Sequence, residues 1–479
     1  MSIKEKFING VMWSGVAQFG IMGLEFFFGV ILARLLSPAE FGILGMITVF
    51  IMIAYVFINA GFSQALSRKP VCVDDDFSTV FVFNLVTAVF LFVVLYLCAP
   101  LVSAFYEVPQ ITWLLRVLGL SLIISAFTIV QKSQLERAIN FKLLSKISIV
   151  STVLSGSIAI AMAYMGYGVW SLVAKFLSRE LFQSIILWMT SKWKTSLHFN
   201  RKSFDELFGF GSKLLISGLL GTIMNNVYYV IIGKFFSPVS LGYYTRAELF
   251  NKLPSESLSG IVTSVAYPTL AKVQDDPVKL KEGFRKILSI TSFVVFVAMA
   301  GLMAVAEPFI LTLIGEKWLM SAHYLQMLGV IGMIYPLNSI NVNMLNVIGR
   351  SDLYMNLQFI MQLLIFPAGL LGLKYGIDAM IYAMIVNAFI GYFLFAFHAG
   401  KHTGYTILEQ IKDFLPGLGT AILMGVVVYG LSYFLKTSNV LLLVTQILVG
   451  VAILLVCLTF FKPKAFIEIK AIAQMFLIK

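Results

Sequence analysis

The sequence predicts an all-α polytopic membrane protein of about fourteen transmembrane helices, arranged as two pseudo-symmetric six-helix lobes followed by two further helices. Three observations predict it. Of 479 residues, 59% are hydrophobic and only 12% charged, against about 25% charged in a soluble domain. Uncharged apolar runs of roughly 18 residues or more recur along the whole chain, which is the hydropathy signature of spanning helices. A segment near the N-terminus also recurs 200 residues later. A transmembrane barrel is excluded, because barrel strands alternate polar and apolar residues over about ten positions. Here the runs are continuous and rich in Phe, Leu, Ile, Val, Met and Gly.

Hydropathy places the spans near 10–35, 40–65, 78–99, 111–131, 145–165, 168–190, 209–235, 241–270, 287–306, 323–348, 354–373, 377–397, 414–435 and 440–461. The stretches 241–270 and 323–348 are polar for spans. The N-terminal lysines Lys4 and Lys6 precede an apolar stretch too long for a signal-peptide h-region, so it reads as a retained first span. Connecting segments are short, about twenty residues at most. There is no room in them for a soluble domain, so function must sit in or between the spans. Alternate loops differ sharply in charge. One set carries Arg68 and Lys69, then Lys132, Arg137, Lys142 and Lys146, then Lys192, Lys194, Arg201 and Lys202. It continues with the cations from Lys272 to Lys286, Arg350, Lys401 and Lys412, and both termini share its side. The positive-inside rule puts that side in the cytoplasm. The net charge of +12 is thereby read as a topological signal rather than a nucleic-acid surface. Cys72, Cys98 and Cys457 show no metal or redox spacing.

Residues 30–42 read VILARLLSPAEFG and residues 230–242 read VIIGKFFSPVSLG. Only Glu40 against Ser240 is dissimilar. Further pairs are LRVLGL (115–120) with LQMLGV (325–330), and YGVWSL (167–172) with YGIDAM (375–380). The chain therefore divides into lobes at 1–208 and 209–413, with 414–479 holding two additional helices and a cytoplasmic tail. Each lobe has an even number of spans, so the repeats run parallel, a transporter architecture with its substrate site at the repeat interface. In each SP turn the proline presets the backbone and the following glycine lets the next helix start close by.

Ionisable side chains inside spans are expensive and are functional candidates by default. Span 1 holds Glu25, span 4 Arg116, span 6 Lys175, Arg179 and Glu180, and span 8 Arg246, Glu248, Lys252 and Glu256. Lys175 and Arg179 are four apart and share a helix face. Two cations so placed need an anion opposite, which is Glu25, Glu180 or a substrate. Glu248, Lys252 and Glu256 form a self-compensating ladder, and Arg246 stands outside it. Arg34 and Lys234 occupy equivalent outer ends of spans 1 and 7, where either side chain can reach the interface. Glu25 and Asn225 are equivalent under the 200-residue offset, so both lobes put a polar group at one depth. Candidate substrate-binding cations are Arg179, Lys175, Arg246, Arg116, Lys252, Arg34 and Lys234. Candidate polar or ion-coupling groups are Glu25, Asn225, Glu180 and Asp378. Asn338, Asn341, Asn343, Asn346, Gln358 and Gln362 either line a hydrated cavity or hydrogen-bond between helices. A cationic cavity favours an anionic, hydrophilic group, and arginine suits a phosphate.

No Walker loop or HExxH is present, and His398 and His402 alone do not make a zinc site. No cofactor, metal or nucleic-acid partner is called for. Several stretches together resemble the polysaccharide-export flippases of O-antigen and colanic-acid type, in the multidrug/oligosaccharidyl-lipid/polysaccharide exporter superfamily. They are LARLLSPAEFGILGM (32–46), QLERAINFKLLS (134–145), LGYYTRAELFNKLP (241–254), VAYPTLAKVQDD (265–276) and GEKW (315–318). The resemblance implies two six-helix lobes plus two helices, alternating access, and location in the bacterial inner membrane. It implies as substrate a lipid-linked oligosaccharide on undecaprenyl pyrophosphate, with membrane lipids, a polysaccharide polymerase and glycosyltransferases as partners. It carries no strict catalytic signature, and the chain is not expected to be an enzyme. Two alternatives stay open: a multidrug or organic-cation antiporter, which would need unpaired carboxylates, and a membrane polymerase, which usually has a large periplasmic loop.

Overall fold

A computed structural model describes residues 3–59, 61–191, 193 and 197–461. Lys192, Lys194 and the tail beyond residue 461 lie outside the described residues. Among the described residues regular structure is helical throughout, and the chain forms two compact units, Met1–Gly242 and Tyr243–Lys479. The first holds α1 (Ile3–Leu35), α2 (Pro38–Asn59), α3 (Phe62–Arg68), α4 (Asp74–Tyr106) and α5 (Ile111–Ala126). It continues through α6 (Ile129–Arg137), α7 (Phe141–Tyr164), α8 (Val169–Thr190), α9 (Arg201–Phe235) and the start of α10 (Pro238–Ala271). α9 joins this unit because it packs along α2, α3 and α4.

Among the described residues eleven helical segments are long and apolar enough to cross a membrane, and α5 with α6, bent by 41°, makes a twelfth if counted as one span. The expected count of fourteen is therefore not reached on hydropathy. The two stretches in question, 168–190 and 241–270, are helical as α8 and α10. They differ in charge: α8 carries Lys175, Arg179 and Glu180, and α10 carries Arg246, Glu248, Lys252 and Glu256.

Sequence chemistry accounts for the joints. Asn140 caps α7 by accepting the Leu143 N–H, and Asn200 caps α9 by accepting from Lys202 and Ser203. Arg137, at the end of α6, donates to the carbonyls of Leu66, of Lys69 at 2.7 Å and of Pro70 at 3.2 Å. It thus ties off the C-terminus of α3, whose last carbonyls have no helical partner.

At the turn between α1 and α2, Glu40 accepts from the Ser37 N–H at 2.6 Å and from its hydroxyl at 2.8 Å. At the turn between α9 and α10 a serine replaces that acid: the Ser237 hydroxyl bonds Ser240 Oγ at 2.9 Å and accepts the Ser240 N–H at 3.0 Å. The one dissimilar position of the repeat therefore holds two solutions to one capping problem. Moreover, the two turns meet. The Pro238 carbonyl lies directly over Gly42, and the Pro38 carbonyl lies over Gly242, so a β-carbon at either glycine would collide with backbone. Glycine is needed here for close approach, not for turn geometry.

The second unit continues with α11 (Pro277–Ala304), α12 (Ala306–Leu313), α13 (Leu319–Val347), α14 (Ser351–Leu363), α15 (Ile365–Tyr375) and α16 (Ile377–Thr403). The final pair is α17 (Ile407–Phe434) and α18 (Asn439–Phe461). α17 packs along α11, and two ion pairs lock their ends: Lys281–Glu409 at 2.9 Å and Arg285–Asp413 at 2.6 Å. The Tyr405 hydroxyl donates to the second oxygen of Asp413 at 2.7 Å. Asn341, Gln410 and Tyr392 form a buried polar knot between α13, α17 and α16, with Gln410 bonded to both others at 3.1–3.4 Å. Trp318 of the GEKW stretch is fully buried, edge-on to Tyr243.

Candidate functional site

The first unit brings together charges from opposite ends of its sequence. α1 and α8 both pack on α7. The buried face of α7 runs Ser151, Ser155, Ala159 and Ala163, small residues four apart, which lets neighbouring helices approach closely. Gly156 on the same helix lies against the ring of Phe28, where a β-carbon would clash. That contact seats α1 one turn beyond Glu25.

Glu25 then faces α8. Its Oε2 accepts from Lys175 Nζ at 2.5 Å and its Oε1 from Arg179 Nη1 at 2.7 Å. Glu25 is the anion that the adjacent cations require. The side chains are 32% (Glu25), 17% (Lys175) and 36% (Arg179) exposed, so the cluster is shielded but not sealed. Glu180 is half-buried beside it, within electrostatic reach of Arg179 and Lys132. Counting Lys132, Lys175 and Arg179 against Glu25 and Glu180, three cations meet two carboxylates, leaving a surplus of one positive charge. By helix rise, Glu25 lies about 15 Å from the C-terminal end of α1, and Arg179 about the same distance from the N-terminal end of α8.

The other candidates lie elsewhere. Arg116 donates through Nε to the Tyr96 carbonyl at 3.2 Å, with its guanidinium 4.3 Å from the Tyr96 ring and 5.1 Å from that of Trp113. This is the surroundings of an interfacial anchor, where an arginine spreads over aromatic faces. Lys234 pairs with Glu107 at 2.8 Å and lies over the Phe105 ring. Lys234 beside it holds the Glu107 carboxyl below its ordinary range. Arg34 and Asn225 are exposed. In the second unit Lys252 turns to Glu248 at 3.0 Å, and Arg246 is half-buried one and a half turns earlier on α10. Asp378, in the first turn of α16, pairs with His323 at 3.1 Å, both about half exposed. Among the polar residues of span 10, Asn341 belongs to the buried knot with Gln410, and Asn338 donates to the Ala388 carbonyl at 3.3 Å. These two bind helix to helix. No group of metal-ligating side chains occurs among the described residues.

Sequence reasoning missed the reciprocal glycine–proline contact, the Arg137 clamp and the α11–α17 ion pairs. The last were visible as Lys281 and Arg285 against Glu409 and Asp413, each pair 128 residues apart. Nothing local marked them as partners.

Apolar helices of this number and length define a multi-pass membrane protein. The chain belongs to the polysaccharide biosynthesis protein family, whose pattern matches residues 31–323. It is 29% identical to the teichuronic acid biosynthesis protein TuaB of Bacillus subtilis (strain 168), over 98% of each chain. It is 26% identical to the lipopolysaccharide biosynthesis protein WzxC of Escherichia coli (strain K12), over 82% of each. Its fold is similar to that of the lipid II flippase MurJ in an inward closed conformation, with a TM-score of 0.78, 19% identity and coverage of 94% of this chain and 98% of that one.

Proposed function

We propose that the protein is a flippase for a lipid-linked oligosaccharide, carried as an undecaprenyl-pyrophosphate-linked repeat unit across the bacterial cytoplasmic membrane during surface polysaccharide synthesis. The Lys175–Arg179 pair supports this reading, because two cations on adjacent turns of one helix share a single carboxylate in a chain of this family. Cations there suit a pyrophosphate, which would otherwise meet hydrocarbon. Arg246 is assigned to the same task from α10. The isoprenoid tail stays in the bilayer and the sugars follow the charged head. Movement proceeds by alternating access of the two lobes, 1–208 and 209–413, with both termini cytoplasmic. The same pathway supplies the partners: glycosyltransferases build the repeat unit inside, and a polymerase consumes it outside. No chemical change is made to the substrate.

Purified protein in liposomes with labelled lipid-linked oligosaccharide tests the reading. The expected result is transfer between leaflets of chemically unchanged lipid. Arg179→Glu and Arg246→Glu are expected to abolish export while the protein still folds. Unaltered surface polysaccharide in both variants would overturn the assignment. Proton-driven efflux of an organic cation would point to the antiporter, and elongated glycan to a polymerase.

A further inference from the structure

We infer that Glu25 is a built-in competitor for the ligand's phosphate: it occupies the Lys175–Arg179 pair when the site is empty and is displaced when a phosphoryl or pyrophosphoryl group binds. The inference rests on the reading of these cations as the pyrophosphate site, and adds how their charge is partly offset when the site is empty and how the site lets go. The geometry is that of a bridging anion. Each oxygen of Glu25 takes one donor, at 2.5 Å from Lys175 and 2.7 Å from Arg179. A phosphate presents its oxygens at much the same spacing, and charge-assisted bonds to lysine and arginine suit either anion. Glu25 bridges both cations, while Glu180 lies within electrostatic reach of Arg179. An ammonium offers three donors and a guanidinium five, so a multi-oxygen anion engages the pair more fully. Partial exposure of all three side chains means that Glu25 can be exchanged without unpacking a core. Its chain attachment also differs from that of its partners: it lies on α1, 150 residues from Lys175. Ligand that displaces it therefore alters the tie between α1 and α8, an element-level change that binding to α8 alone would not produce.

A competitor lowers apparent affinity by the fraction of time it leaves the site open. For a partly exposed ion pair that fraction corresponds to a factor of about two to five. The test titrates inorganic pyrophosphate into the detergent-purified full chain and reads Kd. Glu25→Gln is expected to tighten binding about two- to fivefold, and Arg179→Gln to weaken it by at least as much. An unchanged or weaker Kd in Glu25→Gln overturns the inference, as does pyrophosphate that binds equally well to Arg179→Gln. Should Glu25→Gln fail to fold, Glu25→Asp, whose shorter carboxylate reaches the pair less well, is expected to tighten binding by a smaller factor. An unchanged or weaker Kd there overturns it too. Tightened binding without any leaflet transfer of lipid-linked oligosaccharide would sink the transport reading and leave the competitor standing. Transfer with unchanged affinity would do the reverse.

Discussion

Replacing Gly42 by alanine should force the two SP turns apart. The added β-carbon would occupy the place of the Pro238 carbonyl, with Pro238 Cα also only 3.0 Å away. The obstacle is backbone, so no change of rotamer relieves it. Either α2 or the start of α10 must shift by more than an ångström. Overpacking of a tight contact costs about 1–3 kcal/mol. Applied to an equilibrium between the crossed turns and a parted arrangement, that is about 5- to 150-fold. Gly242→Ala acts on the same contact from the other side, where Pro38 Cα is again 3.0 Å from the new carbon. The double variant should therefore fall short of the sum of the singles, as expected of sites that share partners. Leu36, 3% exposed beside the contact, reports on the parting. In a background without native cysteines, Leu36→Cys is expected to react slowly with a membrane-impermeant maleimide in whole cells. Adding Gly42→Ala should raise the rate by the factor above. An unchanged rate in a variant that melts at the wild-type temperature would refute the argument, because the turns would then tolerate a side chain where the structure leaves no space.

Asp413→Ala removes the shared partner of Arg285 and Tyr405 at the α11–α17 seam; with Arg285 44% exposed on its open side, the loss is expected at about 1–3 kcal/mol, read as a lower melting temperature in detergent. Gln410→Leu strips Asn341 and Tyr392 of their buried partner, and each orphaned group costs about 1–3 kcal/mol; Gln410→Glu and Gln410→Leu should both destabilise, and a neutral leucine variant would show that the knot is dispensable. The Glu107–Lys234 pair is pH-dependent with a fixed sign. The folded-state titration of Glu107 lies below its ordinary one, so its contribution is present at neutral pH and vanishes as pH falls through that lowered value. The melting temperatures of wild type and Glu107→Gln are therefore expected to differ at pH 7 and to converge only as pH falls past the ordinary glutamate range and through that lowered value, and a gap that widens on acidification would contradict the pairing.

How much of this was legible depended on whether the signal was local. Spans announce themselves because lipid demands about twenty apolar residues in a row. The caps of α7, α9 and α11 by Asn140, Asn200 and Asp276 are local too, but hydropathy does not point to them. The shared face of Lys175 and Arg179 follows from spacing alone. Their partner did not: Glu25 was one of several anions of suitable depth, and only the small-residue face of α7 decides that α1 lies beside α8. The asparagines of span 10 illustrate the converse. Cavity lining and helix-to-helix bonding write the same residues into a sequence, and Asn341 is assigned only once Gln410, 69 residues on, is seen opposite it. Likewise the SPxxxG repeat was visible, but a repeat shows that two segments are alike, not that they touch.

That last contact bears on ancestry. Gly42 meets Pro238 as Gly242 meets Pro38, so the contact is isologous in the sense used for symmetric dimers, where one patch is complementary to itself. In a duplicated ancestor that assembled as a pair, a single glycine would furnish both sides of the fit. The two copies now differ in the cap, Glu40 against Ser240, and share the glycine and the proline.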